Sequence, residues 1–270
     1  MPQPSARFTD KVVLVTGGSS GIGRAAAIAF AREGAKVVIA ARGVERGQAA
    51  VRDIEAEQGT AIFVPADLSR SDDVTELFAQ IIQAFGRLDL AFNNAAALPH
   101  SHFAPAADLS EEQFDESIAL NLKSIWLCMK AEIRQMCSQS PRGGAIVNTS
   151  SVNGLGVARN SSFYSAAKAG ILGLTKSAAF EYADDNIRIN ALVAGAFRTP
   201  LLEDVMDTVS AGDPQKREQI EKRYCGMVPL GRIGTPEEAA QAVLWLCSDA
   251  ASYMTGNSMI VDGGLTAPFR

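Results

Sequence analysis

Short apolar runs alternate with longer mixed segments along the 270 residues of the chain. Runs such as Val12-Val13-Leu14-Val15 are continuous rather than alternating, as expected when both faces of a parallel sheet are covered. Helix-length segments fill most of the gaps between the runs, and this order predicts an α/β fold with a doubly wound parallel sheet and helices on both faces. We predict about seven strands, at 11–16, 35–41, 60–66, 88–92, 143–150, 186–193 and 257–262.

The length and the 47% of hydrophobic residues are enough for one domain spanning residues 1–270. One long segment, 196–235, mixes apolar residues with charges and is interrupted at Gly212-Asp213-Pro214. We predict a pair of short helices that forms a substrate-binding lid over the site; a rigid edge of the domain is the alternative. Two long helices are predicted at about 110–137 and 161–183.

The formal charge of −5 comes from interspersed charges without a basic block, so nucleic acid is not an expected partner. The first ten residues lack the apolar core of a signal peptide, and no apolar stretch has the length of a membrane span; a soluble, cytoplasmic protein is expected. The four cysteines have neither metal-ligand nor redox-motif spacing. His100 and His102 form a His-x-His pair, which we interpret as part of a polar loop rather than a metal site.

A glycine-rich turn at 16–23 closes the first strand and has the sequence Thr-Gly-Gly-Ser-Ser-Gly-Ile-Gly. Such a turn lets backbone N–H groups and the N-terminus of the next helix approach a phosphate without interference from side chains. The turn therefore predicts a site for the pyrophosphate of a dinucleotide. The residues expected to contact it are Gly17, Ser19, Ser20, Gly21, Ile22 and Gly23.

A second group of residues has the chemistry of proton transfer. Tyr164 and Lys168 are four residues apart and share one face of a predicted helix, where an ammonium group would lower the pKa of the phenol from about 10. Ser151 follows the fifth predicted strand. A ketone that accepts a hydride builds negative charge on its oxygen and needs a proton donor and a hydrogen-bond donor. Tyr164 and Ser151 match those roles.

These motifs, in this order, resemble the short-chain dehydrogenase/reductase family over nearly the whole chain. The matching segments are the turn at 16–23, Asp67-Leu68, Asn93-Asn94-Ala95, Asn121, the Ser151, Tyr164 and Lys168 set, and Thr199-Pro200. The resemblance implies a Rossmann fold and an NAD(P)-dependent oxidoreductase that transfers a hydride between nicotinamide and a carbonyl or secondary alcohol. Apolar residues that could surround the substrate indicate an apolar or aromatic ketone: Phe103, Leu155, Val157, Phe163, Leu201, Leu202 and Met206.

The resemblance also assigns roles to individual residues. It implies that Tyr164 is the general acid in reduction and the base in oxidation, that Lys168 lowers its pKa and binds the nicotinamide ribose, and that Asn121 holds a water linking the lysine to solvent. Further cofactor contacts are implied for Asp67 at the adenine amino group and for Asn94 and Ala95 along the adenine ribose. The remaining expected cofactor contacts are Leu68, Phe197 and Thr199.

The identity of the cofactor depends on the end of the second strand, where a carboxylate binds the ribose of NAD and an arginine accommodates the 2′-phosphate of NADP. This chain has Ala41-Arg42 there, so NADP(H) is favoured over NAD(H). The glycine turn has Ser20 where many NADP-preferring relatives carry a basic residue. Arg42 could equally stack on adenine or face water.

Two other functions compete with the oxidoreductase. A serine hydrolase is the first, because Gly17-Gly18-Ser19-Ser20-Gly21 also matches a nucleophile elbow, although the histidines lie too early in the chain for its triad. The second is a catalytically inactive dinucleotide-binding regulator. The two long helices carry many apolar residues, and relatives pair such helices across two-fold axes, so a homo-oligomer, a dimer or tetramer, is expected.

Overall fold

The protein is described by a computed structural model that covers residues 6–267. Within this range seven strands form one parallel sheet in the order β3-β2-β1-β4-β5-β6-β7, which confirms the predicted fold class. The strands are β1 Val12–Thr16, β2 Lys36–Ala41, β3 Thr60–Pro65, β4 Leu90–Asn93, β5 Gly144–Ser151, β6 Ile187–Ala194 and β7 Ser258–Val261.

Nine α-helices follow the strands or extend from them in the described part of the chain. They are α1 Gly21–Arg32, α2 Val44–Ala56, α3 Ser71–Phe85, α4 Glu111–Ile118, α5 Ser124–Ser138, α6 Ser162–Glu181, α7 Pro200–Ser210, α8 Pro214–Met227 and α9 Pro236–Cys247. None of the described helices is long and apolar enough to cross a lipid bilayer.

Both faces of the sheet are covered, and the strand sequences show how. Val13 and Val15 of β1 pack in one core with α1, α2 and α9, whereas Val12 and Leu14 pack in a second core with α3 and α5. Successive side chains of a strand point to opposite faces. A strand that is apolar at every position therefore supports a core on each face.

The sheet topology fixes where a ligand can bind. The chain runs outward from β1 through β2 to β3 and then returns to β4 on the other side of β1. Helices that leave β1 and β4 diverge at this point, and the crevice between them lies beyond the carboxyl ends of the strands. The glycine turn follows β1, Asn93 ends β4 and Ser151 ends β5, so the predicted motifs converge at this edge.

The segment between β6 and β7 contains the two short helices α7 and α8, separated at residues 211–213. Thr199 caps α7 by accepting a hydrogen bond from the Leu202 N–H, and Asp213 caps α8 by accepting from two N–H groups. Both helices place a proline at their first turn, where its missing N–H has no intrahelical partner to lose. Capping residues and prolines thus set the boundaries of the pair.

The helix predicted at about 110–137 is helical from 111 to 138 but is not α-helical throughout. A π-helical turn, Ala119–Lys123, separates α4 from α5. Such a turn inserts one residue into an α-helix and is frequent at functional sites. It contains Asn121, whose side chain bonds outside the helix as described below. Period-based prediction could not detect it, because the apolar pattern continues through the turn.

Candidate active site

A cavity of about 1390 Å³ opens at the carboxyl edge of the sheet. It brings together segments that are distant in sequence, from the glycine turn to the lid helices α7 and α8. Fifteen of the predicted site residues line it: Gly17, Ser19, Ser20, Gly21, Ile22, Arg42, Asp67, Leu68, Asn94, Ala95, Ser151, Tyr164, Lys168, Phe197 and Thr199. Gly23 and Asn121 do not line the cavity, but they contact the lining residues Gly17 and Ala97.

The glycine turn has a backbone that only glycine adopts easily. Gly17 and Gly21 have φ angles of 64° and 52°, in the left-handed region that other residues avoid. A Cβ on Gly23 would lie 2.4 Å from the Gly17 carbonyl oxygen, so this glycine allows α1 to begin directly under the turn. Its role is therefore in packing the turn.

The N-terminus of α1 is suited to a pyrophosphate. Ser20, Gly21 and Ile22 line the cavity, the side chain of Ser20 does not cap the helix, and the first turn carries no acidic side chain. Free N–H groups and the helix dipole together favour an anion at such a terminus. The residues present thus fit a dinucleotide.

Thr16 is a positioning residue that sequence reasoning did not assign. Its Oγ1 accepts hydrogen bonds from the N–H groups of Asn94 and Ala95, at 2.9 and 3.2 Å. These bonds join the end of β1 to the end of β4 across the crevice. The signal was available, because a buried threonine that ends a strand beside Asn93-Asn94-Ala95 needs a partner for its hydroxyl.

At the far end of the cavity Asp67 lies near two arginines. Hydrogen bonding from the Ser69 hydroxyl, 2.7 Å from Asp67 Oδ1, lowers the pKa of this carboxyl, and the charges of Arg42 and Arg70 act in the same direction. Arg46, in the first turn of α2, also lines the cavity. Arg46 could not be assigned from the sequence, because Arg42 precedes the helix and no periodicity links the two residues.

The three proposed catalytic residues meet at the centre of the cavity. Ser151 ends β5, while Tyr164 and Lys168 lie on α6 and are 8% and 1% exposed. The Lys168 ammonium nitrogen, Nζ, lies 5.5 Å from the centroid of the Tyr164 ring and donates a 2.9 Å hydrogen bond to the Thr149 carbonyl oxygen. Ser151 hydrogen-bonds to the Tyr164 hydroxyl.

Burial decides the protonation of this pair. It raises the pKa of Tyr164 to about 12, against the opposing effect of the Ser151 hydrogen bond, and it lowers the pKa of Lys168 to about 7. The prediction that the ammonium lowers the tyrosine pKa is therefore wrong for the protein as it stands. Desolvation penalises both charged forms and is the largest cause of both shifts.

The neighbouring serines have different tasks. Ser150 is buried, and its hydroxyl donates a 2.7 Å hydrogen bond to the carbonyl oxygen of Lys168. It ties β5 to α6 and thereby positions the lysine. Ser151 accepts a hydrogen bond from the Asn153 N–H and bonds Tyr164 at the same time. Of the two, Ser151 is the one with a hydroxyl at the tyrosine.

Asn121 organises the loop that follows β4. Its side chain is fully buried, donates from Nδ2 to the carbonyl oxygens of Ala97 and Ser117, and accepts from the Ala97 N–H. The paired bonds to Ala97 resemble those of a strand partner and fix the loop that lines the cavity beside Ala95. These contacts account for asparagine in a helix, where it is otherwise unfavourable.

Neither a metal site nor a hydrolase triad is formed by the residues that the structure describes. No group of three or more histidine, cysteine, aspartate or glutamate side chains is placed to hold a metal in residues 6–267. His102 is buried, its Nε2 lies 3.1 Å from Glu116 Oε2, and it does not line the cavity that contains Ser19. The side chain of His100 lies outside the described part.

Comparison with known proteins places this arrangement in a family. Residues 17–266 match the model of a family described as enoyl-(acyl carrier protein) reductase. The chain is 42% identical, over 96% of its length and 98% of the relative, to a 2,5-dichloro-2,5-cyclohexadiene-1,4-diol dehydrogenase of Sphingobium indicum. It is 38% identical, over 97% and 98%, to the cyclohexanol dehydrogenase of an Acinetobacter species.

Solved structures agree with the sequence comparison. The crystal structure of levodione reductase superposes with a TM-score of 0.91 at 35% identity, covering 97% of this chain and 99% of that one. Matches of this length include the glycine turn, the sheet and the lid helices together. The chain therefore belongs to the short-chain dehydrogenase/reductase family of NAD(P)-dependent oxidoreductases.

Proposed function

We propose that this protein transfers a hydride between a nicotinamide dinucleotide and a ketone or secondary alcohol, with NADP(H) preferred to NAD(H). The observation that carries the proposal is the meeting of Ser151, Tyr164 and Lys168 in the same cavity as the glycine turn. A turn alone would support nucleotide binding. The buried proton-transfer groups beside it support catalysis.

Each proposed catalytic group has a task that its surroundings support. Tyr164 is protonated at neutral pH and would donate this proton to the carbonyl oxygen of the substrate. Ser151 orients the Tyr164 hydroxyl and offers a hydrogen bond to the same oxygen. Lys168 uses one N–H on Thr149, and its remaining N–H groups are the donors that we assign to the nicotinamide ribose. Asn121 positions the loop behind them.

Two arginines support the choice of NADP(H). Arg42 and Arg46 both line the adenosine end of the cavity, and the strand end carries Ala41 rather than a carboxylate. Guanidinium groups bind phosphate oxygens in pairs of hydrogen bonds, and no acid at position 41 repels a 2′-phosphate. Asp67 lies near Arg42, and we assign it to the adenine.

The substrate proposed is an apolar or aromatic ketone, or the matching alcohol. Of the apolar residues predicted to surround it, Phe103, Val157, Leu201 and Leu202 line the cavity. Leu155, Phe163 and Met206 do not line the cavity, and we assign them no direct contact with the substrate. Two relatives are named for alcohols of six-membered carbon rings, and the apolar lining is consistent with such a ring.

We propose that α7 and α8 act as a lid within a single domain. The two helices are joined to each other by Arg217, which pairs with Glu203 and Asp207, and by Arg198, which pairs with Glu203 and Glu221. These pairs make the helices one unit. Leu201, Leu202 and Tyr224 of this unit line the cavity, so its displacement would open the site.

A cytoplasmic homo-oligomer, a dimer or tetramer, completes the proposal. The described helices α4, α5 and α6 expose large apolar side chains: Phe114 is 41%, Trp126 42% and Phe180 90% exposed. Burial of such groups against a second copy is favourable by about 25 cal/mol per Å², and two-fold pairing is the commonest arrangement.

The proposed chemistry is tested by NADPH consumption with a panel of cyclic and aromatic ketones and by the Tyr164→Phe variant. The variant removes only a proton donor, so turnover should fall at least a hundredfold while NADPH affinity, measured by fluorescence, stays within about threefold. Tyr182→Phe, at the end of the same helix, serves as the control.

Two outcomes would contradict the proposal. Near wild-type turnover in Tyr164→Phe would remove the tyrosine from the chemistry. NADPH binding without turnover of any ketone, and without oxidation of the matching alcohols by NADP⁺, would support an inactive dinucleotide-binding regulator instead.

A further inference from the structure

The lining of the cavity is basic although the protein is acidic. In the described part of the chain, five basic residues line the cavity, and Asp67 is the single acidic residue that lines it. The whole chain has 30 acidic and 25 basic residues. The five basic residues are Arg42, Arg46, Arg159, Lys168 and Arg223.

These residues fall into separate parts of the cavity. Arg42 and Arg46 follow β2 at the adenosine end, and Lys168 lies at the reaction centre. Arg159 lies in the loop between Ser151 and α6, and Arg223 lies on the lid helix α8. The last two line the part of the cavity assigned to substrate, and the proposed cofactor contacts do not use them.

Within the described residues, neither of these two arginines has a carboxylate partner. The lid's other arginines, Arg198, Arg217 and Arg232, are held in ion pairs with glutamate and aspartate side chains. In contrast, Arg159 and Arg223 make no ion pair or side-chain hydrogen bond with any residue in 6–267. The lid carries enough carboxylates to pair every arginine, and it leaves Arg223 free.

The charge of Arg223 acts on the cavity itself. Tyr224, its neighbour, lines the cavity, and burial raises the pKa of its hydroxyl while the Arg223 charge opposes that rise. A positive charge felt at a partly buried phenol is less screened than one in bulk solvent. An anionic group inside the cavity would experience the same field.

We propose that the substrate ketone, besides its apolar body, carries an anionic group, a carboxylate or phosphate, which Arg159 and Arg223 bind while the carbonyl lies at Tyr164 and Ser151. The inference rests on the proposed function and names its substrate class. Guanidinium groups bind planar carboxylates and phosphates through paired N–H donors. One arginine lies beside the catalytic loop and the other on the lid, so an anion held by both would also favour the closed lid.

The test compares two ketones that differ chiefly in charge, 4-oxocyclohexanecarboxylate and 4-methylcyclohexanone. Wild-type protein should have the higher kcat/KM for the carboxylate. Arg159→Gln and Arg223→Gln should each lower the ratio of the two kcat/KM values by about tenfold, the effect of losing one charge-assisted hydrogen bond. The ratio should also fall as salt is raised, because the arginines are exposed to screening.

Lys222→Gln is the matched control. Lys222 is the neighbouring cation on α8, pairs with Glu218 and does not line the cavity. Removing its charge should leave the ratio within about twofold of wild type. A fall equal to that of Arg223→Gln would show that the net charge of the lid, rather than a specific contact, sets the preference, and it would overturn the inference.

A binding measurement separates this inference from the proposed function. Cyclohexanecarboxylate has no carbonyl to reduce, and calorimetry with NADPH-saturated protein reports its binding without turnover. Loss of binding in both arginine variants supports the anion site even if neither ketone is reduced, an outcome that would refute only the chemistry. No binding to wild type, or equal binding by the variants, overturns the anion site whatever the turnover.

Discussion

The most quantitative prediction concerns Glu132, a carboxyl group buried in the core beneath the active site. It lies on α5, is fully buried, and accepts one hydrogen bond, from Asn93 Nδ2 at 2.9 Å. Its other oxygen has no hydrogen-bond partner in the described structure. Burial raises its pKa to about 8, against the opposing effect of the Asn93 bond. The carboxyl is therefore protonated at neutral pH.

The position of Glu132 explains why it tolerates this burial. Asn93 also donates to Asn148, and Asn148 donates to Thr175. The chain of side-chain hydrogen bonds links β4, β5, α5 and α6 below the residues that line the cavity. A neutral carboxyl can be held in such a network, whereas a carboxylate there would lack the donors that its charge needs.

The raised pKa of Glu132 makes the free energy of unfolding depend on pH, and the size of this dependence follows from the linkage between proton binding and folding. A folded-state pKa of about 8 against an ordinary value of 4.5 means that the folded state binds the extra proton between these pH values. The contribution of this group to the free energy of unfolding is fully present below pH 4.5 and is lost as the pH rises through 8. At about 1.4 kcal/mol per pKa unit, the loss between pH 5 and pH 9 is about 4 kcal/mol.

Glu132→Gln removes the ionisation and keeps the shape. The variant should gain about 4 kcal/mol relative to wild type between pH 5 and pH 9, measured by urea unfolding followed through the fluorescence of Trp126 and Trp245. Taking the difference between variant and wild type at each pH cancels the contributions of other groups. Glu55→Gln, an exposed glutamate on α2, should show a constant difference.

A difference for Glu132→Gln that varies by less than about 1 kcal/mol over this range would refute the reasoning. It would mean that the core solvates the carboxylate or opens to water at high pH.

Two further predictions concern cofactor choice and assembly. Arg42→Ala should lower the NADP(H) over NAD(H) preference in kcat/KM by about tenfold to a hundredfold, and Ala41→Asp should reverse it, because the new acid repels the 2′-phosphate. A wild-type preference for NAD(H), or a change below about threefold in Arg42→Ala, would contradict the role of Arg42. Light scattering at micromolar concentration should show a dimer or tetramer, and a Phe180→Glu variant should dissociate it; a wild-type monomer would contradict the assembly.

The sheet could be predicted from the sequence because each of its strands contains a short apolar run. All seven predicted strands agree with the structure to within two residues. Continuous runs such as 12–15 are short, β-branched and bounded by glycine or polar residues, so the pattern has one interpretation. The break at Gly212-Asp213-Pro214 likewise separates α7 from α8, since proline begins a helix but cannot continue one.

The parts of the site that could not be predicted depend on tertiary contacts. The π-helical turn contains Asn121, whose side chain bonds to Ala97, a residue 24 positions away. Arg159 and Arg223 are far apart in sequence, and only the fold places them around one cavity. The spacing of Tyr164 and Lys168 predicts their shared helix face, but it contains no information about how deeply both are buried.

That burial has a consequence for the direction of the proposed reaction. With a pKa of about 7 for Lys168 and about 12 for Tyr164, raising the pH removes the lysine proton first. The positive charge that would stabilise a phenolate is then already lost when the tyrosine begins to ionise. At neutral pH the pair is therefore a proton donor, as ketone reduction requires. Alcohol oxidation requires the phenolate form of Tyr164, and the hydrogen bond of Ser151 favours that form because it lowers the pKa of the phenol.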